Sequence, residues 1–132
     1  MEKSIKKALE HFEKEEYHSA IKEFESLLEE TPDNPYLYNN LGTVYYKIGK
    51  WDKAIESYKK AIEIDSNITE VYENLADVYL AEGKTLEALE ELQKAISINP
   101  LNSDSRYHYA KVLLQDYRFD DAVDQLEEVV NM

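Results

Sequence analysis

Asp104 and His108 stand four positions apart. On a helix that is one turn, where a carboxylate and an imidazole could share a metal ion. A metal site needs a third ligand at fixed spacing, and none accompanies this pair. The other histidines are His11, on an inward helix face, and His18, at a helix start. The chain has no cysteine. That removes thiolate zinc sites, disulfides and a cysteine nucleophile, and it fits a reducing compartment. No Gly-rich phosphate loop occurs, since Gly42, Gly49 and Gly83 serve packing and turns. The abundant carboxylates fall mostly on solvated helix faces. The reading from chemistry is negative: no catalytic residue, no metal and no cofactor is expected.

The composition narrows the partners. The 132 residues suit one domain, residues 1–132, and 43% hydrophobic with 33% charged content supports a core beneath a polar surface. Lys plus Arg number 15 against 28 Asp plus Glu, a net charge of −13. That excess repels phosphate backbones and anionic lipid, so nucleic-acid and membrane-surface roles are not expected, and with no run of about 18 apolar residues membrane insertion is not expected either. A basic peptide or basic protein surface is favoured instead. The opening MEKSIKKALEHF has charges throughout and no apolar core of a signal peptide, so the expected location is cytoplasmic.

The element that must position any site is the stretch 35–68. It carries two amphipathic patterns joined by a short turn. Tyr38, Leu41, Gly42 and Tyr45 share one face of the first, and Ala54, Ile55, Tyr58, Ala61 and Ile62 one face of the second. Asn34 can cap the first helix, Pro35 suits its first turn, and Gly49 can end it in a left-handed residue. Ala20, Ala54, Ala88 and Ala122 are spaced 34 apart, a known helix–turn–helix period. The spacing divides the chain into repeats 1–34, 35–68, 69–102 and 103–132. A small column, Ala8, Gly42, Ala76 and Ala110, faces a large one, Phe24, Tyr58, Leu92 and Leu126. The turn column holds Tyr17, Trp51, Thr85 and Phe119.

These residues resemble the tetratricopeptide repeat (TPR). The second repeat supplies Tyr38, Leu41, Gly42, Tyr45, Ala54, Tyr58 and Ala61. The third supplies Tyr72, Leu75, Ala76, Tyr79, Ala88, Leu92, Ala95 and Pro100. The outer repeats depart from the pattern. Ser4, Lys7 and His11 make one helix face of the first polar, as an end cap would be. In the fourth, Arg106, Tyr109 and Tyr117 replace the aromatic, leucine and glycine. The resemblance implies an all-α, right-handed superhelical solenoid of four helix pairs, and a non-catalytic protein-interaction module.

The resemblance further implies a concave groove lined by the first helix of each pair. In the second repeat Tyr36, Asn39, Asn40, Thr43, Tyr46 and Lys47 point away from the inward face. Phe12, Tyr46, Leu80 and Leu114 form an apolar row, with Ile5 and Leu9 beside it. The row either contacts a ligand or packs against the neighbouring helix. Asn40 and Asn74 share a column and offer a donor and an acceptor to a peptide backbone. Glu70, Glu73 and Asp77 make the third repeat acidic, and Tyr107, His108 and Lys111 complete the lining in the fourth. A two-basic, two-asparagine carboxylate clamp of the kind found in some family members is not matched. The expected ligand is a peptide segment with apolar anchors beside basic residues. The alternative is a self-associating scaffold, or part of a longer array, joined through Leu126, Val129 and Val130 on the last helix, a homo-oligomer in the first case.

Overall fold

The computed structural model describes residues 4–115 and 118–131. Among them the chain is all-helical, and it divides into two compact units, Met1–Ser66 and Asn67–Met132. The first unit contains α1 (Ile5–Glu13), α2 (Tyr17–Glu30), α3 (Pro35–Lys47) and α4 (Trp51–Ile64). The second contains α5 (Thr69–Ala81), α6 (Thr85–Ile98), α7 (Ser103–Gln115) and α8 (Phe119–Val130). The turn column of the sequence is the first residue of α2, α4, α6 and α8. Within each unit the helices pack as sequential antiparallel neighbours.

Local chemistry sets the helix ends. Gly49 and Gly83 have φ of 79° and 77°, the left-handed region that glycine enters without a Cβ penalty. The following amides then turn back. Lys50 donates to the Tyr45 carbonyl at 2.9 Å and Lys84 to that of Tyr79 at 2.8 Å, satisfying carbonyls at the helix end. The first repeat makes the same turn at Glu15, a non-glycine at φ 60°. Tyr117, which takes this column in the fourth repeat, lies outside the described residues. The Asn34 side chain accepts from the Tyr36 amide at 3.0 Å, and Pro35 opens α3. Two caps escaped the sequence reading. Ser4 accepts from the Lys7 amide at 3.2 Å and Asn102 from the Asp104 amide at 3.0 Å. Ser4 therefore serves as an N-cap as well as sitting on the polar outer face. On that face Lys7 pairs with Glu23 at 3.3 Å and His11 with Glu16 at 3.6 Å.

The cores follow the columns, with one correction. Ala8, Ala20, Ile21, Phe24, Leu27, Leu37, Leu41 and Val44 form the first unit's cluster. Ala76, Ala88, Leu89, Leu92, Val112, Leu113 and Ala122 form the second's. The sequence reading gave α3 one inward face containing Tyr38 and Tyr45. In the structure Leu37 and Val44 are buried and the two tyrosines are half-buried. The reason is geometric: α3 lies between α2 and α4 and buries two faces at once. The corresponding Val71 and Val78 of α5 are also buried.

Candidate functional site

Three surfaces present themselves, each within one unit. The first is the outward face of α3. Tyr36 is exposed, Lys47 is exposed, and Asn40 and Tyr46 are half-buried. Two of the residues assigned to this face are placed otherwise. Asn39 is buried, with 5% of its surface exposed. Thr43 Oγ1 lies 2.8 Å from the hydroxyl of Tyr58 on α4 and 3.1 Å from the Asn39 carbonyl. With Thr43 donating to that carbonyl, Tyr58 is the donor to Thr43. Thr43 therefore joins α3 to α4, and Asn39 is withdrawn from the surface. The cause is the breadth of the buried surface on α3, which extends one column further than a single inward face would. On α1, Phe12 meets the Tyr17 ring edge-on at 5.7 Å and packs on the core, while Ile5 and Leu9 are exposed.

The second surface lies between α5 and α7. A recess of about 330 Å³ is lined by Glu73, Asp77, Asp104, Tyr107, His108 and Lys111. The structure thus brings together residues that the sequence set on the third and fourth repeats. The acidic residues are not equivalent. Glu73 Oε1 accepts from Ser105 Oγ at 2.7 Å, and Ser105 is fully buried. Asp77 Oδ1 meets His108 Nε2 at 2.9 Å. Glu70 is exposed and Asn74 half-buried. The His108 ring is thus directed at Asp77. Among the described residues no group of three or more His, Cys, Asp or Glu is arranged to hold a metal. Tyr107 is exposed, with the Lys111 ammonium 6.0 Å from its ring centre. In the apolar row Leu80 packs partly on the core, whereas Leu114 is exposed. The row is therefore divided, with Leu80 packed inward and Leu114 left at the surface.

The third surface was not anticipated. A cavity of about 490 Å³ opens where α2 and α4 flank α3. Tyr38, Leu41, Tyr45, Leu28 and Ser57 line it together with Glu25, Glu29, Lys53, Glu56 and Lys60. Lys53 and Lys60 lie 5.6 and 5.7 Å from the ring centres of Tyr45 and Tyr38, within cation–π range. Burial, then the carboxylates of Glu25 and Glu56, push the Tyr45 hydroxyl above its ordinary value. The signal in the sequence was the polar spacing of Glu25, Glu29, Lys53, Glu56 and Lys60 beside two tyrosines taken as core.

Family models of the tetratricopeptide repeat match residues 8–49, 35–68, 57–90 and 79–132, together spanning all four helix pairs. This chain is a tetratricopeptide-repeat protein. Its fold is that of an all-α helical-repeat solenoid, and the family is one of protein–protein interaction scaffolds. A crystal structure of MamA is 26% identical, with a TM-score of 0.81, covering 99% of this chain and 75% of that one. MamA from Desulfovibrio magneticus RS-1 (residues 41 to the end) is 17% identical at a TM-score of 0.81, covering 94% and 70% of the two chains. A tetratricopeptide-repeat protein from Parabacteroides merdae ATCC 43184 is 24% identical at 0.84, covering 96% and 51%. The last two likenesses concern the fold alone. No curated protein matches the chain. No helix among the described residues is long and apolar enough to cross a membrane.

Proposed function

We propose that this TPR protein binds a peptide segment carrying basic residues beside apolar anchors, on the faces of the first helices of its pairs. The observation that carries this reading is the recess between α5 and α7. Asp77 and Asp104 line it, with Glu70 on the same helix as Asp77. Exposed Tyr107 and Leu114 on α7 offer apolar surface nearby in the chain. A carboxylate-lined recess beside aromatic surface suits Lys or Arg, through Coulomb attraction and stacking. The net charge of −13 adds long-range attraction for a basic partner. Asn40 and Asn74 remain the candidates for pairing with a peptide backbone.

Self-association through α8 is the weaker alternative, because the exposed rim of that helix is acidic and two copies would oppose like charges. The test is fluorescence anisotropy with two short apolar peptides, one bearing lysines and one bearing glutamates. Binding of the lysine peptide, weakened by Tyr107→Ala and by Asp104→Lys at unchanged helix content, supports the reading. Equal binding of both peptides, or indifference to both substitutions, overturns it.

A further inference from the structure

We infer that His108 makes the binding of a basic peptide in the α5–α7 recess depend on pH: its protonated ring competes for the carboxylates that the peptide's cations need. The inference rests on the peptide reading above and adds the regulation of that same site. Three carboxylates line the recess, Glu73 and Asp77 from α5 and Asp104 from α7. Lys111, also on α7, is the ammonium among them, and Tyr107 supplies a ring. His108 belongs to the same lining, and its Nε2 lies 2.9 Å from Asp77 Oδ1. The His108 side chain is 23% exposed and that of Asp77 43%. The ring can therefore exchange protons with solvent, while Asp77 remains open to a ligand. Among the described residues no group from α6 or α8 lines this recess.

Charge gives the direction of the effect. With His108 neutral, three carboxylates against one ammonium leave the recess at a net charge of −2. A proton on His108 halves it. Imidazole is the side chain whose ordinary titration falls between about pH 5 and 8. The neutral ring can donate its Nε2 proton to Asp77 and leave the carboxylate's charge for a ligand. The imidazolium keeps that hydrogen bond and neutralises the carboxylate as well. An incoming Lys or Arg then meets an acid already paired, with a second cation beside it. Affinity should rise as pH rises through the imidazole range and fall as pH falls through it. By linkage the converse holds, and a bound peptide cation makes His108 harder to protonate. The other two histidines are internal controls. His11 contacts Glu16 at 3.6 Å and His18 lies in the first turn of α2, both in the first unit and outside the recess.

The probe is the lysine-bearing apolar peptide, made without histidine and with blocked termini, so that its own charge is constant between about pH 5.5 and about pH 8. Anisotropy titrations of the full chain at fixed ionic strength give a dissociation constant about fivefold higher at the lower pH. His108→Gln keeps a donor for Asp77 but cannot take a charge, and it binds the peptide alike at both pH values. His108→Lys is charged at both, and at the higher pH it binds about as weakly as the wild type does at the lower. His11→Gln and His18→Gln retain the wild-type difference. Helical circular dichroism at each pH separates these effects from unfolding. The His108 imidazole resonances, followed by NMR, titrate at lower pH with the peptide bound than without it, a shift that a merely structural histidine would not show. Binding at the higher pH that is unchanged at the lower, or a pH difference that survives His108→Gln, overturns the inference and leaves the peptide reading standing. Absence of binding at the higher pH overturns that reading, and this inference with it.

Discussion

A Cβ placed on Gly42 would stand 2.7 Å from Cε1 of Tyr58. The ring cannot easily retreat, because its hydroxyl is held 2.8 Å from Thr43 Oγ1 and the side chain is 1% exposed. Gly42→Ala therefore overpacks this contact, although alanine is the better helix former by about 1 kcal/mol. The expected net loss is about 1–3 kcal/mol in urea denaturation. The third repeat shows the compensation, with Ala76 beside Leu92, both 0% exposed. Tyr58→Leu should thus remove most of the cost of Gly42→Ala in a double-mutant cycle. Additive losses would refute the pairing.

Glu15, Gly49 and Gly83 occupy one column and all have positive φ, with Glu15 at 60°. A left-handed residue with a Cβ costs roughly 1–2 kcal/mol, partly offset in glycine by its freer unfolded state. Glu15→Gly should therefore stabilise the protein by about 0.5–1 kcal/mol. Gly49→Ala should destabilise it by about 1 kcal/mol. Nothing lies within 4 Å of the Cβ position at Gly49, so that loss isolates backbone strain from packing. Thermal melts of the two variants moving in the same direction would contradict this account.

This column also shows why the helix boundaries were readable. Four aligned alanines place every turn, and each second helix begins at the expected Tyr17, Trp51, Thr85 and Phe119. The surfaces were less readable, because one period does not say how many faces a helix buries. Leu37 and Val44 are buried in a cluster with Ile21, Phe24 and Leu27 of α2, while Gly42 of the same helix meets Tyr58 of α4. Asn39 goes under with them. Pairings such as Glu73 with Ser105 and Asp77 with His108 depend on the angle between α5 and α7. Sequence spacing carries no record of that angle.

Alkaline pH should weaken the fold through two groups. The Tyr45 hydroxyl is held above its ordinary value, by burial and then by the carboxylates of Glu25 and Glu56. Lys94 is raised above 10.5, chiefly by its hydrogen bond to Glu91 at 3.1 Å. In both cases the folded state holds the proton more tightly than the unfolded state. Their contribution is complete below the unfolded values and is lost as pH rises through the folded ones. Stability should therefore fall above about pH 10. Tyr45→Phe and Lys94→Gln should each flatten that fall, measured by urea midpoints at pH 8 and pH 11. An unchanged slope in both variants would remove these groups from the explanation.

The carboxylates facing the α5–α7 recess should separate by role. Glu73 holds the hydroxyl of fully buried Ser105, so Glu73→Lys leaves a buried donor without its acceptor. A loss of about 1–3 kcal/mol of stability is expected. Glu70 and Asp104 are exposed, and surface charges of that kind contribute little to folding. Glu70→Lys and Asp104→Lys should leave the melting temperature within a degree or two. Both should slow association of a lysine-bearing peptide, and the difference from wild type should shrink as salt rises. Asp77 is intermediate, since Asp77→Lys breaks its 2.9 Å contact with His108 and reverses a charge in the recess. Its effect on association should exceed that of Glu70→Lys, with a modest loss in stability. If Glu73→Lys melts like wild type while Glu70→Lys unfolds the protein, the division between structural and ligand-facing carboxylates is wrong. If none of the substitutions alters peptide association at low salt, the recess does not receive the peptide's cations.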